Sequence, residues 1–304
     1  MEKELFYNEV VKKVEAYYGD SAIVTTHEIV KNNGLVKRGL CVKNTKSNCA
    51  PTLYLDDFYV KYKEGRDFND ISEEVIETFD KYIVNRQVDM SFFKDYGSIS
   101  DKICFKIVNK ERNEEKLKNV PHRLVEDLAV IYFVALNAMG IDGSVQIRNE
   151  FLELWDATEE DLFEAALDNT PRIFPANIIP MGDFLSAKSG DDIFRDVFSS
   201  NNLLIATNDK YLGGASVMLY PGLLKEVGDK FGANFYILPS SVHELILLSE
   251  TFEGNEADNL IEMVKCVNST CVPSEDVLAD SLYYFDRSGE NNVKKVEQVK
   301  DTML

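Results

Sequence analysis

The chain has 304 residues, 45% of them hydrophobic and 28% charged, and carries a net charge of −19 at neutral pH. That apolar share can bury a core, so wholesale disorder is not expected. The first twenty residues alternate acidic, basic and apolar side chains, and the longest apolar run, residues 128–139, falls short of the roughly 18 residues needed to cross a bilayer. The expectation is a cytoplasmic protein without a membrane partner.

The charge is unevenly placed. Residues 1–150 carry 22 Lys and Arg against 25 Asp and Glu, whereas residues 151–304 carry 11 against 27. Nucleic-acid binding needs cations to displace counterions from phosphates, and the second half cannot supply them; nucleic acid is disfavoured. A basic protein partner fits an acidic half better. Five scattered cysteines (Cys41, Cys49, Cys104, Cys266, Cys271) do not make a disulfide framework or a zinc set. Neither a metal nor a cofactor is expected.

In chain order, residues 3–18 place Leu5, Phe6, Val10, Val11, Val14 and Tyr17 near helical spacing, with Gly19 as the stop. Residues 22–30 and 35–42 flank Lys31-Asn32-Asn33-Gly34, whose Asn and Gly tolerate the positive φ of a tight hairpin. An extended piece over 51–59 leads to a helix at about 70–86. Residues 102–108 alternate basic and apolar, the mark of a half-buried strand. Residues 127–136 and 144–148 read as a buried hairpin joined around Gly140-Ile141-Asp142-Gly143. Thr158 opens a helix with Glu159, Glu160 and Asp161 in its first turn, ending near Asn169 because Pro171 disfavours helical geometry before it.

Residues 202–286 form the clearest module. Strands are expected at 203–207 and 215–219, a helix after Pro221, strands at 235–238 and 242–248 around Pro239-Ser240-Ser241, a helix at 256–267 and a strand at 281–285. The tail 287–304 is polar and expected to be loosely held. Tyr7 through Gly19 aligns without a gap on Tyr220 through Gly232, and each stretch precedes a His-Glu pair, His27-Glu28 and His243-Glu244. That echo suggests two related α-β-β-α halves. The fold class is therefore α+β, with antiparallel hairpin sheets covered by amphipathic helices. Its parts are a region 1–120, a region 121–286 and the tail.

Three histidines restrict the chemistry. His243-Glu244 lacks the second histidine of a zinc-protease helix, and on a strand the two side chains diverge. Ser240 and Ser241 stand near His243, so a serine–histidine–acid site is conceivable, but no Gly-x-Ser-x-Gly elbow holds either serine. Asn208 with Gly213 and Gly214 could cradle a phosphate, although the Walker spacing is missing; a hairpin turn accounts for them equally well. Asp127 opens an apolar run and needs a cationic or hydrogen-bonding partner, with Arg148 the candidate. Trp155 reads as a core anchor.

Several stretches together carry a resemblance. They include Pro51-Thr-Leu-Tyr-Leu55, Pro121-His-Arg123 with Asp127-Leu-Ala129, Ile147-Arg-Asn149 with Trp155, Thr207-Asn208 with Gly214-Ala215, Leu219-Tyr-Pro-Gly222, and Ile237-Leu-Pro-Ser-Ser-Val-His-Glu244. From about Val10 to Phe285 the chain resembles an uncharacterised bacterial family, domain of unknown function five-six-eight-eight. Val242 departs from its usual isoleucine, and Gly213 from a commonly polar residue. The module 202–286 is more distantly similar to another uncharacterised cytoplasmic family. The resemblance implies a bacterial cytosolic protein and brings no activity, cofactor or catalytic residue. The expected role is a non-catalytic binding or adaptor protein. The alternative is a small-molecule-binding protein or hydrolase-like enzyme with a site around Asn208 and Ser240–Glu244.

Overall fold

The computed structural model describes residues 1–87, 89–136, 143–198, 202–239, 241–254, 256–289 and 293–297. The chain divides into two compact units, Met1–Ser91 and Phe92–Leu304. Both are α+β with antiparallel sheets.

The first unit opens with α1 (Lys3–Tyr18), followed by β1 (Ala22–Val30), β2 (Val36–Asn44), β3 (Thr52–Tyr54), α2 (Leu55–Lys63) and α3 (Phe68–Tyr82). Its sheet runs β1-β2-β3, and Asn33 in the hairpin turn takes φ 57°. The extended reading of residues 51–59 holds only as far as Tyr54. Beyond it Leu55, Phe58 and Tyr62 recur at helical spacing, with Asp56 and Asp57 at the positive end and Lys61 and Lys63 at the negative end of α2. Asp67, whose side chain accepts from the Asn69 amide, caps α3. Phe6, Val10 and Val14 of α1 meet Leu40 and Val42 of β2, Leu55 of α2, and Ile71, Val75 and Phe79 of α3 in one core. Leu40 and Val42 share a face of the strand, so the helices cover that side of the sheet.

The second unit begins with α4 (Tyr96–Ile99), β4 (Ile103–Asn109), α5 (Glu114–Leu117), β5 (His122–Val125), β6 (Leu128–Ala135), β7 (Ser144–Gln146), α6 (Asn149–Trp155) and α7 (Glu159–Ile173). It continues with β8 (Ala176–Pro180), α8 (Met181–Ser189), α9 (Ile193–Val197), β9 (Leu203–Asn208), α10 (Leu223–Phe231), β10 (Phe235–Leu238), β11 (Leu245–Ser249), α11 (Ala257–Thr270), β12 (Tyr283–Phe285) and β13 (Val293–Lys295). One sheet centres on β6, with β4 on one edge and β5 then β7 on the other. The second runs β13-β12-β10-β11-β9-β8. The two sheets share a core that includes Phe105, Tyr132, Leu162, Leu204, Phe235 and Tyr283.

Because β4 pairs with β6 along its whole length, residues 103–109 belong to the second unit, Phe92–Leu304. β4 is buried on both faces, not one: Ile103, Phe105 and Ile107 enter the shared core while Cys104 and Val108 are buried opposite. Lys106 stays partly exposed, its ammonium 5.8 Å from the Phe133 ring centre. The β6–β7 hairpin forms as expected; residues 137–142, which include Gly140, Ile141 and Asp142 of the expected link, lie outside the described residues.

α7 runs on past Pro171. Its last turn is tied to β4 and its approach: Asn169 Nδ2 donates to the Ile103 and Ser100 carbonyls, Thr170 Oγ1 accepts from the Phe105 amide, and Arg172 donates to the Asp101 carbonyl. Those bonds hold a turn that proline alone would open. The strand expected at 215–219 is a 3-10 turn over Gly214–Leu219. The tail is not loose throughout, because Val293–Lys295 adds a strand to β12. The echoed stretches begin alike, α1 before β1-β2 and α10 before β10-β11, but β3 intervenes before α2 and has no counterpart before α11.

Candidate functional site

The candidate residues meet where two strands of the second sheet end. β9 and β11 are antiparallel, with Leu245 opposite Ala206. The residues entering β11, Ser241 to Glu244, therefore lie beside Thr207 and Asn208. Thr207 Oγ1 donates to the His243 carbonyl at 2.8 Å. Gly214 packs into the same corner, where a Cβ would stand 2.2 Å from Thr207 Oγ1 and 2.3 Å from the His243 carbonyl oxygen. Only glycine fits there.

Asn208 is 3% exposed and organises the loop that follows it. Its Oδ1 accepts from the amides of Lys210 (3.0 Å) and Leu212 (3.3 Å), and its Nδ2 donates to the Leu212 carbonyl (2.9 Å). The Gly213 amide donates to His243 Nδ1 at 3.2 Å. With that nitrogen accepting, the ring proton sits on Nε2, which donates to Asp276 Oδ1 at 3.2 Å. Ser241 is buried, and its Oγ accepts from the His243 backbone amide at 3.0 Å rather than bonding the ring. The Asp276 carbonyl also takes the Val242 amide, at 2.7 Å.

The structure thus brings Asn208, Gly213, Gly214, Ser241 and His243 together. Ser240 lies outside the described residues. Glu244 is half-buried and, among the described residues, makes no hydrogen bond or ion pair. Chemically the arrangement is closed. Both ring nitrogens of His243 have partners, so no lone pair is left to take a serine proton. A phosphate cradle needs free amides, yet those of Lys210, Tyr211, Leu212, Gly213, Ala215 and Ser216 all donate within the protein. Among the described residues no group of three His, Cys, Asp or Glu side chains is placed to hold a metal ion.

Asp276 escaped the sequence reading. It follows α11 in an irregular stretch, 33 positions from His243, and neither periodicity nor a motif marks it. Asp127 has partners other than the expected Arg148. Its carboxylate accepts from Ser281 Oγ (2.5 Å), Lys295 Nζ (2.8 Å) and the Tyr283 hydroxyl, and not from Arg148. Burial alone raises its pKa; the bonds from Lys295, Ser281 and Tyr283 outweigh burial and hold it below the ordinary carboxylate value. Tyr283 is pushed up by burial and by that carboxylate. A second ionic cluster joins Arg123 to Glu159 at 2.9 Å and to Glu160, with the Tyr132 hydroxyl donating to Glu159. Trp155 is a core anchor, its Nε1 donating to the Phe93 carbonyl at 2.8 Å and its ring packed by Phe93 and Phe151. Burial pushes the Cys104 thiol up to about 12, so it is inert.

A pocket of about 300 Å³ opens elsewhere in this unit, lined by Arg112, Lys265, Asn268, Ser269, Val277 and Asp280 among others. Arg112 is paired with Asp280 at 2.7 Å within the pocket and Lys265 with Glu262 at 2.8 Å outside its lining. None of the residues proposed from sequence lines it.

Compared with known proteins, residues 3–287 match a family of unknown function (DUF5688). No curated protein and no solved structure matches the chain.

Proposed function

We propose, for a chain that belongs to the family of unknown function DUF5688, a role as a non-catalytic binding or adaptor protein whose acidic second half recognises a basic protein partner. The observation that carries this reading is the engagement of His243: its two ring nitrogens serve the Gly213 amide and Asp276. The residue best suited to acid–base chemistry therefore works as a brace. The hydrolase-like alternative around Asn208 and residues 240–244 is weakened by the same bonds, and the small-molecule form of it by the occupied loop amides. The charge of residues 151–304, with 27 acidic against 11 basic side chains, favours a cationic partner through long-range attraction. The proposed setting is the bacterial cytoplasm; among the described residues no helix is long and apolar enough to cross a membrane.

The test is capture on the immobilised full chain from a native bacterial lysate at low salt, followed by stepped salt elution. Recovery of basic proteins that leave as salt rises supports the reading. Recovery of none, or only of proteins that resist salt, contradicts it.

A further inference from the structure

The loop braced by Asn208 and His243 turns its hydrogen bonds inward and shows two large apolar side chains outward. Tyr211 is 47% exposed and Leu212 67%. Tyr211 also has φ 53°, the left-handed region, which is unfavourable for a non-glycine residue. Asn177 Nδ2 donates to its hydroxyl at 3.5 Å, a long bond that does not account for a bulky exposed ring on a strained backbone. Nearby, the Tyr211 ring lies 6.3 Å from that of Phe184 on α8. α9 is locked against α8 at Gly182, where a Cβ would stand 2.8 Å from the Phe194 carbonyl oxygen. α9 in turn exposes Ile193 (57%) and Val197 (65%), one helical turn apart on one face. Three segments packed in series therefore display four apolar side chains.

Charge identifies what would cover them. Exposed carboxylates of Asp183, Asp191, Asp192 and Asp196 sit on and between α8 and α9, and that of Asp209 lies in the loop; the three cations beside them are engaged, Arg195 with Asp183 and Asp192, Lys188 over the Phe184 ring and Lys210 with Asp209 at 3.5 Å, so carboxylates outnumber cations. We propose that Tyr211, Leu212, Ile193 and Val197 form a docking surface for an amphipathic segment of a basic partner protein, apolar on one face and flanked by lysine or arginine. The proposal rests on the binding-protein reading above. A second copy of the chain is disfavoured as the occupant, because a molecule of net charge −19 would meet its own sign.

The test uses the full-length protein and a fluorescent helical peptide of leucine and lysine with leucines at i, i+3, i+4 and i+7, read by anisotropy at physiological salt. Two control peptides replace lysine by glutamate or leucine by serine. Tyr211→Asn, which suits the left-handed backbone, combined with Leu212→Ser is expected to weaken the leucine–lysine peptide by about tenfold or more, the loss typical of an interface anchor. Leu154→Ser, at an exposed apolar position on α6, is expected to leave it unchanged, and both control peptides to bind at least about tenfold more weakly. The proposal is overturned if the double variant binds like the wild type, if the serine–lysine peptide binds as well as the leucine–lysine one, or if the wild type dimerises and the variant does not. If salt-sensitive capture from lysate persists in the double variant, this surface is wrong while the binding-protein reading stands. If capture is absent in the wild type as well, the underlying reading has failed.

Discussion

Gly213 and Gly214 are adjacent, and the structure separates their roles. Gly214 is required for space, since any side chain meets Thr207 Oγ1 and the His243 carbonyl; Gly214→Ala is expected to cost about 2–3 kcal/mol as a small-to-large change in a packed corner. Gly213 is required for conformation: at φ 62° its nearest Cβ contact is an ordinary 3.8 Å, so Gly213→Ala should cost about 1 kcal/mol. Urea unfolding of the two variants checks the ranking, and equal losses would refute it. Asn208→Ala strands the Lys210 and Leu212 amides and the Leu212 carbonyl, at about 1–3 kcal/mol for a buried network; accelerated amide exchange confined to residues 209–213 is the expected signature. Asp127 makes stability depend on pH. Its folded pKa is lowered, so the unfolded chain binds more protons as acid is added. The stabilisation is complete above the ordinary carboxylate range and is lost as pH falls through the folded value. Asp127→Asn should flatten that part of an acid-unfolding curve, and an unchanged curve would show that Lys295, Ser281 and Tyr283 do not hold the charged form.

Elements with strong periodicity and explicit ends were legible in the sequence. α1 runs from Lys3 to Tyr18 as its apolar spacing and Gly19 require, and Thr158 starts α7 with a reciprocal bond pair to Asp161. Thr158→Ala is expected to cost about 1 kcal/mol, measured as a shift of the unfolding midpoint with unchanged denaturant slope. Elements set by tertiary contact were not legible. Pro171 reads as a stop, yet bonds from Asn169, Thr170 and Arg172 to β4 and its approach carry the helix to Ile173. Residues 215–219 are apolar enough, Ser216 aside, to read as a strand, yet the crowding at Gly214 and the Ala215 amide's bond to the Val242 carbonyl turn them into a 3-10 segment. β8, α8 and α9 carry no local signal of comparable strength and were missed. Of the candidate site, His243, Ser241, Asn208 and both glycines were found because rare residues near turns stand out. Asp276 was not, since its importance comes only from where the chain returns.

At the scale of the molecule, the two units differ in charge. Residues 1–91 carry 13 basic and 16 acidic side chains, leaving 20 and 36 for residues 92–304. The first unit closes its own core around Phe6, Leu40, Ile71 and Phe79, and Phe79→Ala should cost it about 3–5 kcal/mol by opening a cavity. The second unit holds the excess of carboxylates together with a braced loop that has no free amide donors along most of its length. Attraction between that unit and a cationic partner should follow the screening of exposed charge, whose range shrinks to about 8 Å at physiological salt. The most direct measurement is the affinity of a lysate-recovered partner for the purified full chain, followed from about 0.05 to 0.5 M salt across that screening range. A basic partner whose affinity falls steeply over this interval is the predicted result; an affinity that stays level, or a partner of acidic composition, would contradict recognition by charge.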